Sequence, residues 1–106
     1  MEKPKNLTFS EPTTPRSFTA GAIRFTECKA IKENGEKLNA VKISCIVNYK
    51  SKELKISLAK AYAESLKKHL LIATDEIIEN DVLYLITSGM QSYSFLDYIS
   101  EVFEKL

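Results

Sequence analysis

The clearest patterning in the chain lies between residues 39 and 49. There Val41, Ile43, Cys45, Val47 and Tyr49 alternate with Lys42, Ser44 and Asn48. A period of two places the first set on one face of a strand and the second on the other. Ile46 interrupts the polar side. Upstream, residues 19–31 read as a first strand, with Ile23, Phe25 and Ile31 as its larger apolar members. Asn34-Gly35 between them is a strong hairpin signal, because both turn positions favour positive φ. Downstream, Leu54, Ile56 and Leu58 alternate with Glu53, Lys55 and Ser57, which predicts a third strand behind a turn at Lys50-Ser51-Lys52-Glu53.

Register follows from turn length. With Ser51-Lys52 at the tip, Tyr49, Val47 and Cys45 face Leu54, Ile56 and Leu58, as one buried face requires. A two-residue Asn34-Gly35 turn, in contrast, sets Phe25 opposite Ser44 and Ile23 opposite Ile46, on the face away from that core. Either Ile23, Phe25 and Ile46 sit on the outer face, or a bulge in the first strand corrects the register.

From Leu58 the period becomes helical. Leu58, Tyr62, Leu66 and Leu70 recur every four residues with Ala59 and Ala63 beside them, predicting a helix near residues 59–71 that covers the inner face of the sheet. Thr74-Asp75 reads as the N-cap of a short helical turn through Glu79, and Asn80-Asp81 as a turn. Val82 to Ile86 reads as a buried central strand. Ser94 caps a last helix in which Phe95, Tyr98, Ile99, Val102, Phe103 and Leu106 share a face, with Asp97 in its first turn. A rival reading puts a fifth strand at residues 92–98. Residues 1–17, with Pro4, Pro12 and Pro15 and no apolar period, read as a flexible N-terminal arm. The expectation is a single α+β domain over residues 18–106. It has a three-stranded antiparallel β-meander, an amphipathic helix, a fourth buried strand and a C-terminal helix, in the order β-β-β-α-β-α. An OB-like five-stranded barrel is the alternative.

Size agrees with one core: the chain has 106 residues, 44% of them hydrophobic and 27% charged, close to globular averages. No apolar run is long enough to span a membrane, and the charged start at Met1 to Lys5 is not followed by a secretory apolar region. Cys28 and Cys45 do not make a disulfide framework, which suits a reducing, cytoplasmic setting.

Motifs for chemistry are sparse. His69 is the only histidine and follows Lys67-Lys68 near a helix C-terminus, where a cation is favourable. Asp75, Glu76, Glu79 and Asp81 form an acidic cluster, but no glycine stands where a calcium loop needs one. Gly21, Gly35 and Gly89 are too far apart to build a phosphate-cradling loop. No cofactor, metal site or catalytic residue is expected, and an enzyme is the least supported class.

Charge distribution is more informative than net charge. Residues 1–60 hold twelve Lys/Arg and six acids, a balance of +6, whereas residues 61–106 hold three Lys and eight acids, a balance of −5. One explanation is that the two halves face each other. The other is an anionic partner for the basic half. On the second reading the outer face of the meander is a single-stranded nucleic-acid surface. Arg24, Lys29, Lys42, Lys50, Lys52 and Lys55 would meet phosphates, and Phe25, with Tyr49 as a weaker candidate, would stack on bases. An ordinary solvated sheet face is the plainer reading of the same residues.

Three strands, a helix and a further strand resemble the order of an OB-type barrel, a frequent carrier of single-stranded nucleic acid. Ile56-Ser57-Leu58 leading into a helix with Leu66-Lys67 is similar to the sheet-to-helix junction of the transcription cofactor/whirly type of single-stranded DNA binder. The likeness covers some fifteen residues, the segment after Leu71 has no counterpart there, and neither likeness assigns a functional residue. A second class of function is a protein-interaction or assembly subunit. The apolar arc of the C-terminal helix, from Phe95 and Leu96 to Leu106, would then supply a homodimer interface.

Overall fold

The structure, a computed structural model, describes residues 7–48, 51–89 and 94–105. It is an α+β domain: a curled antiparallel sheet, or half-barrel, carries two helices on one face. This agrees with the expected class and with its barrel-like alternative. In chain order the elements are β1 (Thr8–Ser10), β2 (Ser17–Ala20), β3 (Ile23–Ile31), β4 (Lys37–Cys45), α1 (Lys52–Lys67), β5 (Asp75–Glu79), β6 (Val82–Thr87) and α2 (Phe95–Glu104). The sheet order is β1-β3-β4-β6-β5, with β2 pairing β3 beside β1.

The meander of three consecutive strands is present, but it consists of β2, β3 and β4. The expected first strand divides at Gly21, whose φ of 61° allows a two-residue turn between Ala20 and Ile23. The expected third strand at residues 53–58 is instead the first part of α1. Ser51 is its N-cap, its Oγ accepting from the Leu54 N–H at 3.2 Å. Leu54 and Leu58 are one helical turn apart as well as in strand alternation. The helix wins because Ala59, Ala63 and Leu66 then share one buried face.

The register of β3 on β4 settles the position of Phe25. Lys32 and Glu36 close a three-residue loop, with the Gly35 N–H donating to Lys32 O at 2.9 Å and the Lys32 N–H to Glu36 O at 2.8 Å. Gly35 takes a φ of 91°. This is a turn followed by a glycine bulge, one residue longer than a bare Asn-Gly turn. The extra residue slides every partner by one, so Phe25 faces Ile43 and Ile23 faces Cys45. Both Phe25 and Ile23 are fully buried.

Two further segments differ from expectation. Residues 8–10, assigned to a flexible arm, form β1 against Lys29 to Ile31, and the Glu27 N–H donates to Arg16 O beside β2. Asp75–Glu79 is the edge strand β5 and not a helical turn. It is joined to β6 by a two-residue turn in which Asn80 (φ 54°) and Asp81 (φ 64°) are both left-handed. Val82–Thr87 is the expected internal strand, between β4 and β5.

The main core lies between the helices and one sheet face. Ile23, Phe25, Val41, Ile43, Leu83 and Leu85 from the sheet meet Ala59, Ala63 and Leu66 of α1 and Phe95, Leu96 and Ile99 of α2. Ser94 caps α2 as expected, accepting from the Asp97 N–H at 3.2 Å. A smaller cluster on the opposite face holds Cys28, Ala30, Ala40 and Ile86. There the rings of Phe9 and Tyr84 stack with centroids 3.8 Å apart. In the strand order β3 and β4 separate β1 from β6, so a flat sheet would hold the two strands about 14 Å apart. The stack therefore requires the sheet to curl toward its helix-free face.

Candidate functional site

Side chains on the helix-free face follow from register. They are Arg24, Thr26, Cys28 and Ala30 from β3, then Leu38, Ala40, Lys42 and Ser44 from β4. Val82, Tyr84 and Ile86 from β6, with Asp75, Ile77 and Glu79 from β5, complete the row. Small buried residues in mid-sheet leave room for Phe9 and Tyr84 to pack over them. Burial pushes the Cys28 thiol up to about 12, reinforced by the Glu11 carboxylate, so this cysteine is a neutral core residue. Burial also raises the Tyr84 hydroxyl, with further contributions from Cys28, Glu79 and Glu11.

Of the seven residues expected to contact nucleic acid, this face gathers two. Arg24 is exposed there, and Lys42 is half-buried and ion-paired to Glu11 at 2.7 Å. Phe25 points the other way, into the core. It stacks on Phe18 at 4.7 Å and meets Phe103 edge-on at 5.7 Å. Lys29 is on the helix-bearing face by register and donates to Asn39 Oδ1 at 2.6 Å. Lys52 and Lys55 belong to α1, where Lys52 pairs with Asp81 at 3.3 Å. Lys50, like Tyr49, lies outside the described residues. Asp75 and Glu79 flank Ile77 on the helix-free face, so its two cations share the surface with three carboxylates, Glu11 included. The residues that sequence reasoning missed are Phe9, Glu11 and Tyr84. A three-residue strand is too short to show a period, and Tyr84 was hidden in a continuous apolar run.

The two charged halves of the chain do meet. Arg16 pairs with Asp97 and Lys52 with Asp81, each joining the basic half to the acidic half. Such exposed pairs contribute about 0–1 kcal/mol each. They nonetheless account for part of the charge asymmetry without an external anion.

A nearly apolar exposed surface lies on α1. Its buried side is Ala59, Ala63 and Leu66. On another side, Leu54, Ser57, Leu58 and Ala61 line a shallow, almost wholly apolar depression. Leu54 is 56% exposed. The same helical stripe continues to Ser65, which enters a groove of about 650 Å³ between the end of α1 and α2. Ser65, His69, Leu71, Tyr98, Glu101, Val102 and Lys105 line that groove. Leu71 is 91% exposed, and its N–H donates to the Tyr98 hydroxyl at 2.8 Å.

The apolar arc of α2 is largely absorbed by the core. Phe95, Leu96 and Ile99 are buried, and Phe103 packs near Phe18, Phe25 and Tyr62. The expected homodimer surface on this helix is thus reduced to the groove edge at Tyr98 and Val102; Leu106 lies outside the described residues. Among the described residues no three His, Cys, Asp or Glu side chains are grouped to hold a metal, and no helix is long and apolar enough to cross a membrane. No family model, curated protein or solved structure matches the chain.

Proposed function

We propose that this chain is a non-enzymatic protein-docking module whose contact surface is the outward apolar side of α1. One observation carries the reading: Leu54, Leu58 and Ala61 line an apolar depression on α1, and about one helical turn beyond Ala61, Ser65 borders a groove lined also by Leu71 and Val102. Single exposed apolar residues are ordinary, whereas here the exposed Leu54 stands beside Leu58 and Ala61 on one side of a helix. The free thiols Cys28 and Cys45 fit a reducing, cytoplasmic setting for such a module. A photo-crosslinking side chain at Ser57 tests the reading in an extract of the source cells. The expected result is a protein adduct from position 57 that disappears with Leu54→Asp and is not formed from position 24. Equal labelling from both positions, or none from position 57, contradicts it.

The nucleic-acid reading keeps a narrower form. Phe9 and Tyr84 present stacked rings on the same face as Arg24 and Lys42, the combination of ring and cation that single strands require. Its test is a titration with a labelled oligonucleotide at several salt concentrations. Binding that weakens steeply with salt and is lost in Arg24→Ala supports it, and flat or absent binding at low salt removes it.

A further inference from the structure

We infer that the occupant of the α1 surface is a second copy of this chain, docked antiparallel across α1 with Ala61 at the crossing point. The inference rests on the docking reading above and deepens it.

Leu54 near the start of α1 and Leu71 in the segment that follows the helix are the two most exposed large apolar residues among those described. An isologous antiparallel contact brings residues equally far before and after its centre face to face. Leu54 is seven residues before Ala61, about 10 Å along the helix axis. It therefore meets the partner where the groove begins, over Ser65 and His69 and beside Leu71. Each copy inserts its Leu54 into the other's groove, so both exposed leucines are covered twice over. Small side chains in the middle, Ser57, Ala61 and Ser65, allow the close approach that such a crossing needs.

Charge along the rim agrees with this orientation. Glu53, Lys60, Glu64 and Lys68 are all exposed and follow one flank of the stripe. The symmetry of an antiparallel pair places each flank against its own counterpart. About Ala61, Glu53 then falls within about 2 Å, along the axis, of the partner's Lys68, and Lys60 within about 3 Å of the partner's Glu64. A parallel pairing in register would instead set this flank against the partner's other flank, so Glu53, Lys60, Glu64 and Lys68 would not meet one another. Opposite charges at the rim fix orientation more than they add affinity.

Sedimentation equilibrium on the intact chain tests the inference, with Lys60 and Glu64 exchanged singly and together. The wild type is expected to dimerise reversibly. Glu64→Lys weakens the dimer about tenfold, because two symmetric attractions become repulsions. The exchange Lys60→Glu with Glu64→Lys restores it, which a merely structural role for either residue would not do. In a Cys45→Ser background, Ala61→Cys oxidises to a disulfide-linked dimer, since only a residue at the two-fold axis meets its own copy. A wild type that stays monomeric at high concentration, or a double exchange that fails to restore the dimer, overturns self-docking. If that chain still gives the position-57 adduct with a different protein, the docking reading stands and self-docking alone has failed.

Discussion

Replacing Phe25 by alanine separates a core residue from a base-stacking surface residue. The ring is fully buried between β2, β4 and α2. Truncating a buried phenylalanine costs about 3–5 kcal/mol from lost transfer energy and the cavity left behind. Phe25 also loses a stacked partner, Phe18, and an edge contact with Phe103, each worth about 0.5–1.5 kcal/mol beyond area. The expected loss is thus at least about 4 kcal/mol, a large share of the 5–15 kcal/mol that such a domain possesses. Urea unfolding followed by far-ultraviolet circular dichroism measures it. With a slope of about 1–2 kcal/mol per molar for a chain of this size, the midpoint should fall by about 2–4 M, or the variant should fail to fold. A surface ring would cost about 0.5 kcal/mol or less. A midpoint shift under about 0.5 M with unchanged slope would refute the register of β3 on β4 and return Phe25 to the outer face.

Gly21→Ala should destabilise by about 1–3 kcal/mol, because φ is +61° and the new Cβ would lie 2.8 Å from the Tyr62 hydroxyl oxygen. Tyr62→Phe in the same chain should recover part of the loss in thermal unfolding, and no recovery would show that the clash is unimportant. Cys28 should lose stability for the fold as pH rises. Its thiol is neutral in both states below its usual value near 9.0, but between there and about 12 only the unfolded chain ionises. Urea midpoints of the wild type should therefore decline from pH 8 to 10 more steeply than those of Cys28→Ala, and parallel slopes would contradict the burial of this thiol. Phe9→Ala should expose the small cluster at Cys28 and speed its modification by a thiol reagent. A rate unchanged from the wild type would mean that β1 does not cover the sheet.

Sequence pattern reached furthest where local and tertiary preferences agree. The α2 helix begins with Ser94 and Asp97 as its capping chemistry dictates, and its apolar arc meets the core. The run Val82 to Ile86 had no amphipathic face to mislead, and it became β6 between two neighbours. The β3–β4 hairpin was located correctly, but its register was not legible from the Asn34-Gly35 pair. Two- and three-residue loops share that signal, and one residue of difference reverses every side chain. Residues 53–58 satisfied both periods, and only the Ser51 cap and the burial of Ala59, Ala63 and Leu66 select the helix. Thr74-Asp75 carried a helix-cap signal that pairing with β6 overrode. The candidate sites divide in the same way. Charges assigned to a face through an assumed register dispersed once α1 replaced the third strand. The apolar side of α1 is legible only in part, because Leu54, Ile56 and Leu58 fit strand alternation as well as a helical period.

The most direct test of self-docking through α1 is amide chemical-shift mapping on the isotopically labelled chain as its concentration is raised. Shifts are expected to be confined to residues 53–71 and the groove edge at Tyr98 and Val102, with Arg24, Lys42 and Tyr84 unchanged. Shifts centred on the helix-free sheet face, or none over the whole concentration range, would contradict it.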